Sequence, residues 1–354
     1  MLTTRMKRSL PIFLLFLLLA HVGACTSAPV PAEAPPCVPP EKGLPTELRC
    51  TGLYANRSLE VIADDVLPYQ PGVLLWSDGA EKRRFLQLPP GSQIDTSHLD
   101  AWKFPVDTKV WKEFAVDGKV IETRLLWKRP TGKWDVGTYI WDLQAGTATL
   151  NTATKGVILA SGYEIPTVKD CDKCHHGGSD TVLGVEAVAL GLPNATGATL
   201  SVLATKGLLT HPPAQTTVKL PEDATGKAGE ALGYLHANCG MPCHSTRGLG
   251  EETQLVLRLR ADELWPNGPD GGAPAIDAQT TDIWKASLNQ PPKTASVAQK
   301  FPGAFRITPG VHEQSLVWLV SHLRGNYQMP PLVSHRIDEA GTQKLADWID
   351  ALPK

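Results

Sequence analysis

The stretch VDTKVWKEFAVDGKVIETRLLW (residues 106–127) decides the fold of the N-terminal half of the chain. Apolar and polar residues alternate along it with a period of two, which is the period of a β-strand. Asp117 and Gly118 stand between the two alternating runs, and this dipeptide favours a tight hairpin turn because both turn positions require a positive φ. The stretch therefore predicts two antiparallel strands joined at this turn.

The alternating pattern continues beyond the hairpin. The turn sequence PTGK (residues 130–133) precedes a third predicted strand at residues 134–143, and six of the ten tryptophans lie within residues 76–141. Such aromatic side chains either fill the interior of a small sandwich or form a binding surface, for instance for sugars. We therefore expect a β-sandwich-like domain over residues 51–165, in which no acid/base pair, nucleophile or phosphate loop is recognisable.

The composition is that of a folded chain with many turns. Glycine and proline make up about 17% of the 354 residues, against a usual ~12%. The apolar share of 42% is sufficient for a buried core and excludes wholesale disorder. The 34 basic residues are balanced by 36 acidic ones, which gives no electrostatic reason to expect a nucleic-acid partner. The length favours two domains.

The first 24 residues have the pattern of an export signal. Three basic residues precede the apolar run LPIFLLFLLLA (residues 10–20), which is too short to span a bilayer as a helix. The following VGAC (residues 22–25) resembles the lipobox of bacterial lipoproteins, in which the cysteine receives a diacylglycerol. This resemblance implies a signal peptide over residues 1–24 and lipidation of Cys25; an ordinary cleaved signal peptide is the alternative. Either export route permits disulfides.

Residues 25–50 are predicted to form a proline-rich tether. Seven prolines lie within residues 26–45, a density that favours an extended, semi-rigid spacer. Cys37 and Cys50 flank a proline-rich loop within this segment and are candidates for a disulfide in an exported chain, with two free thiols as the alternative.

The sequence CDKCH (residues 171–175) has the Cys-x-x-Cys-His pattern of c-type haem attachment. Two thiols bond the two vinyl groups of one porphyrin, and the imidazole coordinates the iron. A disulfide, a thioredoxin-like redox pair or half of a zinc site would explain the cysteines, but none of these requires the histidine. We therefore expect haem at Cys171 and Cys174, with His175 as the proximal ligand.

The sequence CGMPCH (residues 239–244) is a less regular motif, with three residues between its cysteines. Either Cys239 and Cys243 both form thioethers, or Cys243 alone does so and Gly240 occupies the position of the usual first cysteine. His244 is the expected proximal ligand in both cases; without haem, the two cysteines could form a disulfide. A zinc site shared with the first motif is disfavoured, because 65 residues separate Cys174 from Cys239 instead of ~15–20.

A second axial ligand completes the coordination of an electron-transferring haem. Met329 lies in NYQMPPL (residues 326–332), between a predicted helix at residues 315–323 and a second helix that begins near Asp338. Such a Met-Pro-Pro loop resembles the distal loop of small monohaem cytochromes c. Met329 is therefore the expected distal ligand of the second haem, with a core methionine as the alternative.

For the first haem no comparable methionine remains. His211 lies in a loop-like setting, LLTHPP (residues 208–213), and is a weaker candidate for its distal ligand. Ligation by another histidine, by an unidentified residue, or an open iron are the remaining interpretations.

The order of these features resembles a group of bacterial dihaem c-type cytochromes, in which a β-rich N-terminal region precedes two haem motifs. The resemblance covers about residues 60–352. It is carried by the motifs LPY (67–69), WSDGAEKRRF (76–85), LPPG (88–91), ETRLL (122–126), IP (165–166), YLHANC (234–239), MPP (329–331) and DEAG (338–341). The second motif of that group is normally Cys-x-x-Cys-His, so the extra residue here is a departure.

The resemblance implies a mostly α-helical, cytochrome c-like region over residues 166–354 that binds two haems c, and hence an α+β chain. It implies one-electron transfer with redox partner proteins in the periplasm or cell envelope, with the lipid anchor in the membrane, most simply the outer membrane. Two alternatives are a dihaem redox enzyme of peroxidase type with an open first haem, and a metal-binding or structural lipoprotein without haem.

Overall fold

The computed structural model describes residues 1–2, 36–38, 40–55, 59–175, 180, 182–265 and 276–354. The chain from Cys37 to Lys354 forms one compact unit. It combines a large antiparallel sheet with helices, so the predicted α+β class is confirmed at this level.

Seven of the described strands form one antiparallel sheet in the order β6-β5-β4-β3-β2-β1-β9, and β7 and β8 form a two-stranded sheet. The strands are β1 (Leu67–Gln70), β2 (Glu81–Gln87), β3 (Lys109–Val116), β4 (Lys119–Lys128), β5 (Trp134–Asp142), β6 (Thr147–Leu150), β7 (Val157–Ile158), β8 (Glu164–Ile165) and β9 (Thr196–Gly197).

Strands β1–β8 precede the α-helices in the sequence. The helices are α1 (Val168–Cys174), α2 (Ala187–Gly191), α3 (Leu200–Thr205), α4 (Ala228–Leu235), α5 (Ala261–Leu264), α6 (Asp282–Ser287), α7 (Ala295–Lys300), α8 (Leu316–His322) and α9 (Glu339–Ala351). A π-helical turn (His236–Gly240) continues α4 directly.

The predicted hairpin and third strand are confirmed. Asp117 and Gly118 have φ values of 50° and 71°, as the turn requires, and they join β3 to β4. β5 then pairs with β4, from Trp134 opposite Lys128 to Ile140 opposite Glu122. A register shift between Phe114 and Ala115 changes which side chains face each side of the sheet at the hairpin end.

The prediction of a β-sandwich is wrong in one respect: in the described part of the chain, the second sheet has only two strands. One face of the large sheet carries Phe85, Trp111 and Leu125, and the segment that holds Leu48 and Leu53 packs against it. The opposite face packs against the helical region. Because the N-terminal segment and the helices cover the two faces, burial does not require a second large sheet.

The boundary predicted at residue 165 does not divide the core. The largest buried cluster includes Leu86 and Val110 from the sheet together with Leu232 and Trp348 from the helices. The edge strand β9 also comes from the helical part of the chain and pairs with β1.

The C-terminal helix matches its prediction. Asp338 caps α9 by accepting a hydrogen bond from the backbone N–H of Gly341. Leu345, Trp348 and Ile349 are fully buried, so these apolar residues form the face of the helix that packs against the core.

Cys37 and Cys50 form a disulfide, as expected from the sequence. Cys25, the predicted lipidation site, lies outside the described residues, as do the apolar run before it and residues 25–35 and 39 of the predicted tether. Among the described residues, no helix combines the length and the apolar character needed to cross a membrane.

Candidate functional site

A large cavity brings together the residues that the sequence singles out. Its empty space amounts to about 2150 Å³, a figure that includes open solvent at its mouth. The sheet, α1, the π-helical turn, α8 and the loop around Met329 all line it. The cavity-lining residues with candidate haem roles are Cys171, Cys174, His175, Cys239, Cys243, His244 and Met329.

The first motif occupies the end of α1. Thr167 caps this helix and forms a capping box with Asp170, which sets where the helix begins. Cys171 and Cys174 are three residues apart on this helix, so both thiols lie on one face. Burial raises the pKa of the Cys171 thiol, which keeps it protonated at neutral pH.

The second motif absorbs its extra residue in the π-helical turn. The backbone N–H of Met241 donates to the carbonyl of His236, and that of His244 donates to the carbonyl of Cys239, both five residues back. A π turn accommodates one additional residue within a helix. Cys239 and Cys243 are consequently one turn apart, and side chains at this spacing lie on the same helical face.

Gly240 could not serve as the first cysteine of a regular motif in this backbone. A Cβ at this position would lie 2.2 Å from the carbonyl oxygen of Leu257 and 2.5 Å from the backbone nitrogen of Arg258. The close approach of these two backbone segments requires glycine. The geometry therefore explains why the thiol lies at position 239 and not at position 240.

His244 lies in a close-fitting backbone loop. Its Nδ1 is 3.4 Å from the Thr253 hydroxyl, and a Cβ at Gly250 would lie 2.7 Å from the same nitrogen. Burial lowers the pKa of His244, although the backbone of Leu255 opposes this effect. The imidazole is therefore neutral at physiological pH, which is the form that ligates a metal.

The two motifs meet inside the cavity. The Cys174 and Cys243 thiols interact, which lowers the pKa of Cys174 to about 7 and raises that of Cys243. Burial raises the pKa of Cys239 to about 12. All four cysteines are free thiols, so the alternative of a disulfide within either motif is not what the structure contains.

The thiols and histidines of the two motifs do not converge on a metal-sized centre. Among the described residues, the one group of three donors close enough to hold an ion is His312, Glu313 and Asp350. It lies at the C-terminal part of the chain, and two of its three members are exposed. The geometry therefore gives no support to a zinc site shared by the two motifs.

Met329 lies at the cavity wall and is 36% exposed. Its backbone N–H donates to the carbonyl of Val320 in α8, which fixes the loop to that helix. Met241 also lines the cavity.

His211 does not line the cavity. Its side chain is exposed, and its Nδ1 is 2.9 Å from the hydroxyl of Thr210. The described structure therefore does not bring His211 to the first motif, and this weaker candidate finds no geometric support.

A buried pair that sequence reasoning missed lies beside the second motif. His236 accepts a hydrogen bond at Nδ1 from the backbone of Leu259, and its Nε2 is 3.4 Å from Glu186. Glu186 also caps α2 by accepting from Val188 and Ala189. Both histidine nitrogens are thus engaged, and the pair fixes the start of the π-helical turn. In the sequence, only His236 within YLHANC pointed to this pair. Its partner Glu186 lies 50 residues earlier in the chain, so the pairing was not recognisable.

The sheet contributes a row of cations to the cavity wall. Arg84, Lys112 and Arg124 lie directly opposite one another on β2, β3 and β4, and all three line the cavity. Burial, together with the charges of the two arginines, lowers the pKa of Lys112 to about 7. Like charges at directly opposed positions destabilise a sheet, so this row is costly in the absence of an anion.

Searches against protein-family models, curated proteins and solved structures find no match to this chain.

Proposed function

We propose that this protein is an exported, lipid-anchored dihaem c-type cytochrome that carries out one-electron transfer in the cell envelope. The observation that carries the proposal is the convergence of both Cys/His motifs and Met329 on one large cavity. A chain that used these residues only for packing would have no reason to line a cavity of this size with them.

The residues present fit two covalently held haems. Cys171 and Cys174 lie on one face of α1, and Cys239 and Cys243 lie on one face of the helical turn that follows α4. Each pair is therefore able to reach the two vinyl groups of one porphyrin. Haem iron, when bound, supplies the reversible one-electron chemistry, and methionine ligation raises its reduction potential.

Contacts within the protein position His244 and Met329 at the second motif. The loop at Gly250 and Thr253 orients the neutral imidazole of His244, while Met329 is held on the cavity wall by its bond to α8. His244 would be the proximal ligand and Met329 the distal ligand of a haem held by the second motif. His175 has the corresponding proximal role at the first site.

The contact between Cys174 and Cys243 supports direct exchange between the two haems. Each of these sulfurs would hold one haem, so groups that would hold the two haems interact with each other. This arrangement favours an electron carrier that receives and passes on single electrons through a pair of centres.

The proposal places Cys25 in the membrane through its lipid, with the proline-rich residues that follow it as the tether and the disulfide Cys37–Cys50 at the start of the folded unit. Periplasmic redox proteins are the proposed partners. An ordinary signal peptide would release the same folded unit into the periplasm, and metabolic labelling with a radioactive fatty acid distinguishes the two.

A redox titration of the purified full chain tests the electron-transfer proposal. We expect two one-electron transitions, and Met329→Leu should lower the potential of only one of them. A chain that shows no redox transition within the range of haem proteins would contradict the proposal.

A dihaem enzyme with an open first iron is the second candidate. It is favoured by a specific observation: the described histidines that line the cavity are His175, His236 and His244, and both nitrogens of His236 are engaged. Carbon monoxide added to the reduced protein decides between the two. A spectral change at one haem supports the enzyme, whereas no change at either haem supports the carrier.

A further inference from the structure

We propose that Arg84 and Lys112 form a binding site for a carboxylate or similar oxyanion on the wall of the cavity. The binding itself does not depend on haem; only the effect on reduction potential described below rests on the proposed function.

The cations are present without matching anions. Glu122 forms an ion pair with Arg124, but among the described residues neither Arg84 nor Lys112 has an ion-pair partner. Arg84 is 5% exposed, and its buried Nη1 has no hydrogen-bond partner. Thr138 continues the same cross-strand row, and its buried hydroxyl is also without a partner. A buried charge of this kind is stable only when a counter-charge and hydrogen bonds satisfy it.

The acidic side chains near Arg84 and Lys112 form hydrogen bonds with other groups. The carboxylates that line the cavity are Asp78, Glu164, Asp170, Glu186 and Asp338. Each of them accepts hydrogen bonds from backbone N–H groups at a helix start or a loop, or pairs with a histidine. None of these carboxylates pairs with Arg84 or Lys112. The anion that neutralises these two cations must therefore come from a group other than the described side chains of this chain.

The side chains of Arg84 and Lys112 offer the kind of hydrogen-bond donors that bind an oxyanion. A guanidinium offers two parallel N–H groups to a carboxylate, and an adjacent ammonium adds a point charge. The source is either a carboxylate of the haem itself or a small diffusible anion. The row lies close enough to the first motif for Cys171 and Cys174 to affect the pKa of Lys112. Because the haem carboxylates leave the porphyrin at the edge opposite the thioethers, we favour the diffusible anion.

The experiment uses the full-length purified chain as wild type, Arg84→Gln, Lys112→Gln and the control Lys119→Gln. Lys119 is an exposed cation in the same hairpin, so its removal matches the charge change without altering the cavity. Inorganic phosphate and acetate are the probes, each titrated at constant ionic strength against chloride. The readouts are the thermal midpoint and the midpoint potential.

With a diffusible anion, phosphate or acetate raises the thermal midpoint of wild type and Lys119→Gln in a saturable manner, and both cavity variants lose this response. The bound anion also shifts the ratio of oxidised to reduced haem towards the oxidised form by ~tenfold at a fixed potential, equivalent to ~59 mV for one electron.

If a haem carboxylate is the anion, added phosphate or acetate changes neither the thermal midpoint nor the midpoint potential. Lys112→Gln and Arg84→Gln then each shift the ratio of oxidised to reduced haem about tenfold towards the oxidised form. The proposal is overturned if both cavity variants behave like Lys119→Gln in every readout. If the chain contains no haem, the thermal response to phosphate and acetate still decides whether the site exists, so the two proposals fail separately.

Discussion

Converting the second motif to a regular Cys-x-x-Cys-His should destabilise the protein. The change is Gly240→Cys combined with Cys239→Ala, which places the first thiol at the usual distance from Cys243. In the structure, a Cβ at position 240 would lie 2.2 Å from the Leu257 carbonyl oxygen and 2.4 Å from its carbon. To reach even 3.0 Å, one of the two backbone segments must move by about 1 Å. Overpacking of this kind costs ~1–3 kcal/mol.

The assay is thermal unfolding together with the intact mass of the denatured chain. We expect the double variant to unfold roughly 2–6 °C below Cys239→Ala alone, and to carry the second haem at reduced occupancy. Cys239→Ala is the matched control, because it removes the same thiol without adding a Cβ at Gly240. A double variant that is as stable as this control and fully loaded with haem would refute the account of the π-helical turn.

Three further predictions follow from other parts of the site and core. Met329→Ala should abolish the thioether–iron absorption near the red end of the oxidised spectrum, whereas Met241→Leu should retain it; the same spectrum from Met329→Ala and wild type would exclude Met329 as a ligand. Burial tends to raise the pKa of Glu186, but the hydrogen bond with His236 holds this pKa below its ordinary value. The ionised carboxylate therefore stabilises the fold above about pH 4.3. This stabilisation is lost as the pH falls through the lower pKa that Glu186 has in the folded protein. Glu186→Gln should therefore be less stable at pH 7 and show a shallower loss of thermal stability between pH 5 and 3, and equal slopes would contradict this. Trp348→Ala should cost ~3–5 kcal/mol because the side chain is fully buried, which chemical denaturation measures; a loss below 1 kcal/mol would show that α9 does not pack as described.

Local chemistry made the strands and helices predictable. The hairpin at Asp117 and Gly118 depends on two adjacent residues that adopt positive φ, and α9 depends on a cap at Asp338 and a stripe of apolar residues within one helix. In both cases the determining interactions lie within about fifteen residues of each other. The two-sided covering of the sheet was not predictable in this way, because it depends on how distant segments pack.

In the candidate site, too, features set by nearby residues were predictable and features set by distant residues were not. The covalent motifs were recognisable because each cysteine pair and its histidine lie within six residues. The cation row was not recognised, although Lys112 stood between Val110 and Phe114 on an apolar face. Its meaning depends on the register that places Arg84 and Arg124 beside it, and that register is set by pairing between strands.

The most direct test of the central claim is the intact mass of the denatured protein after maturation in a host that assembles c-type haem. The wild-type chain should retain the mass of two haems, and Cys171→Ala with Cys174→Ala should retain one. Cys239→Ala with Cys243→Ala should also retain one. A denatured wild-type chain that carries no haem would contradict the account.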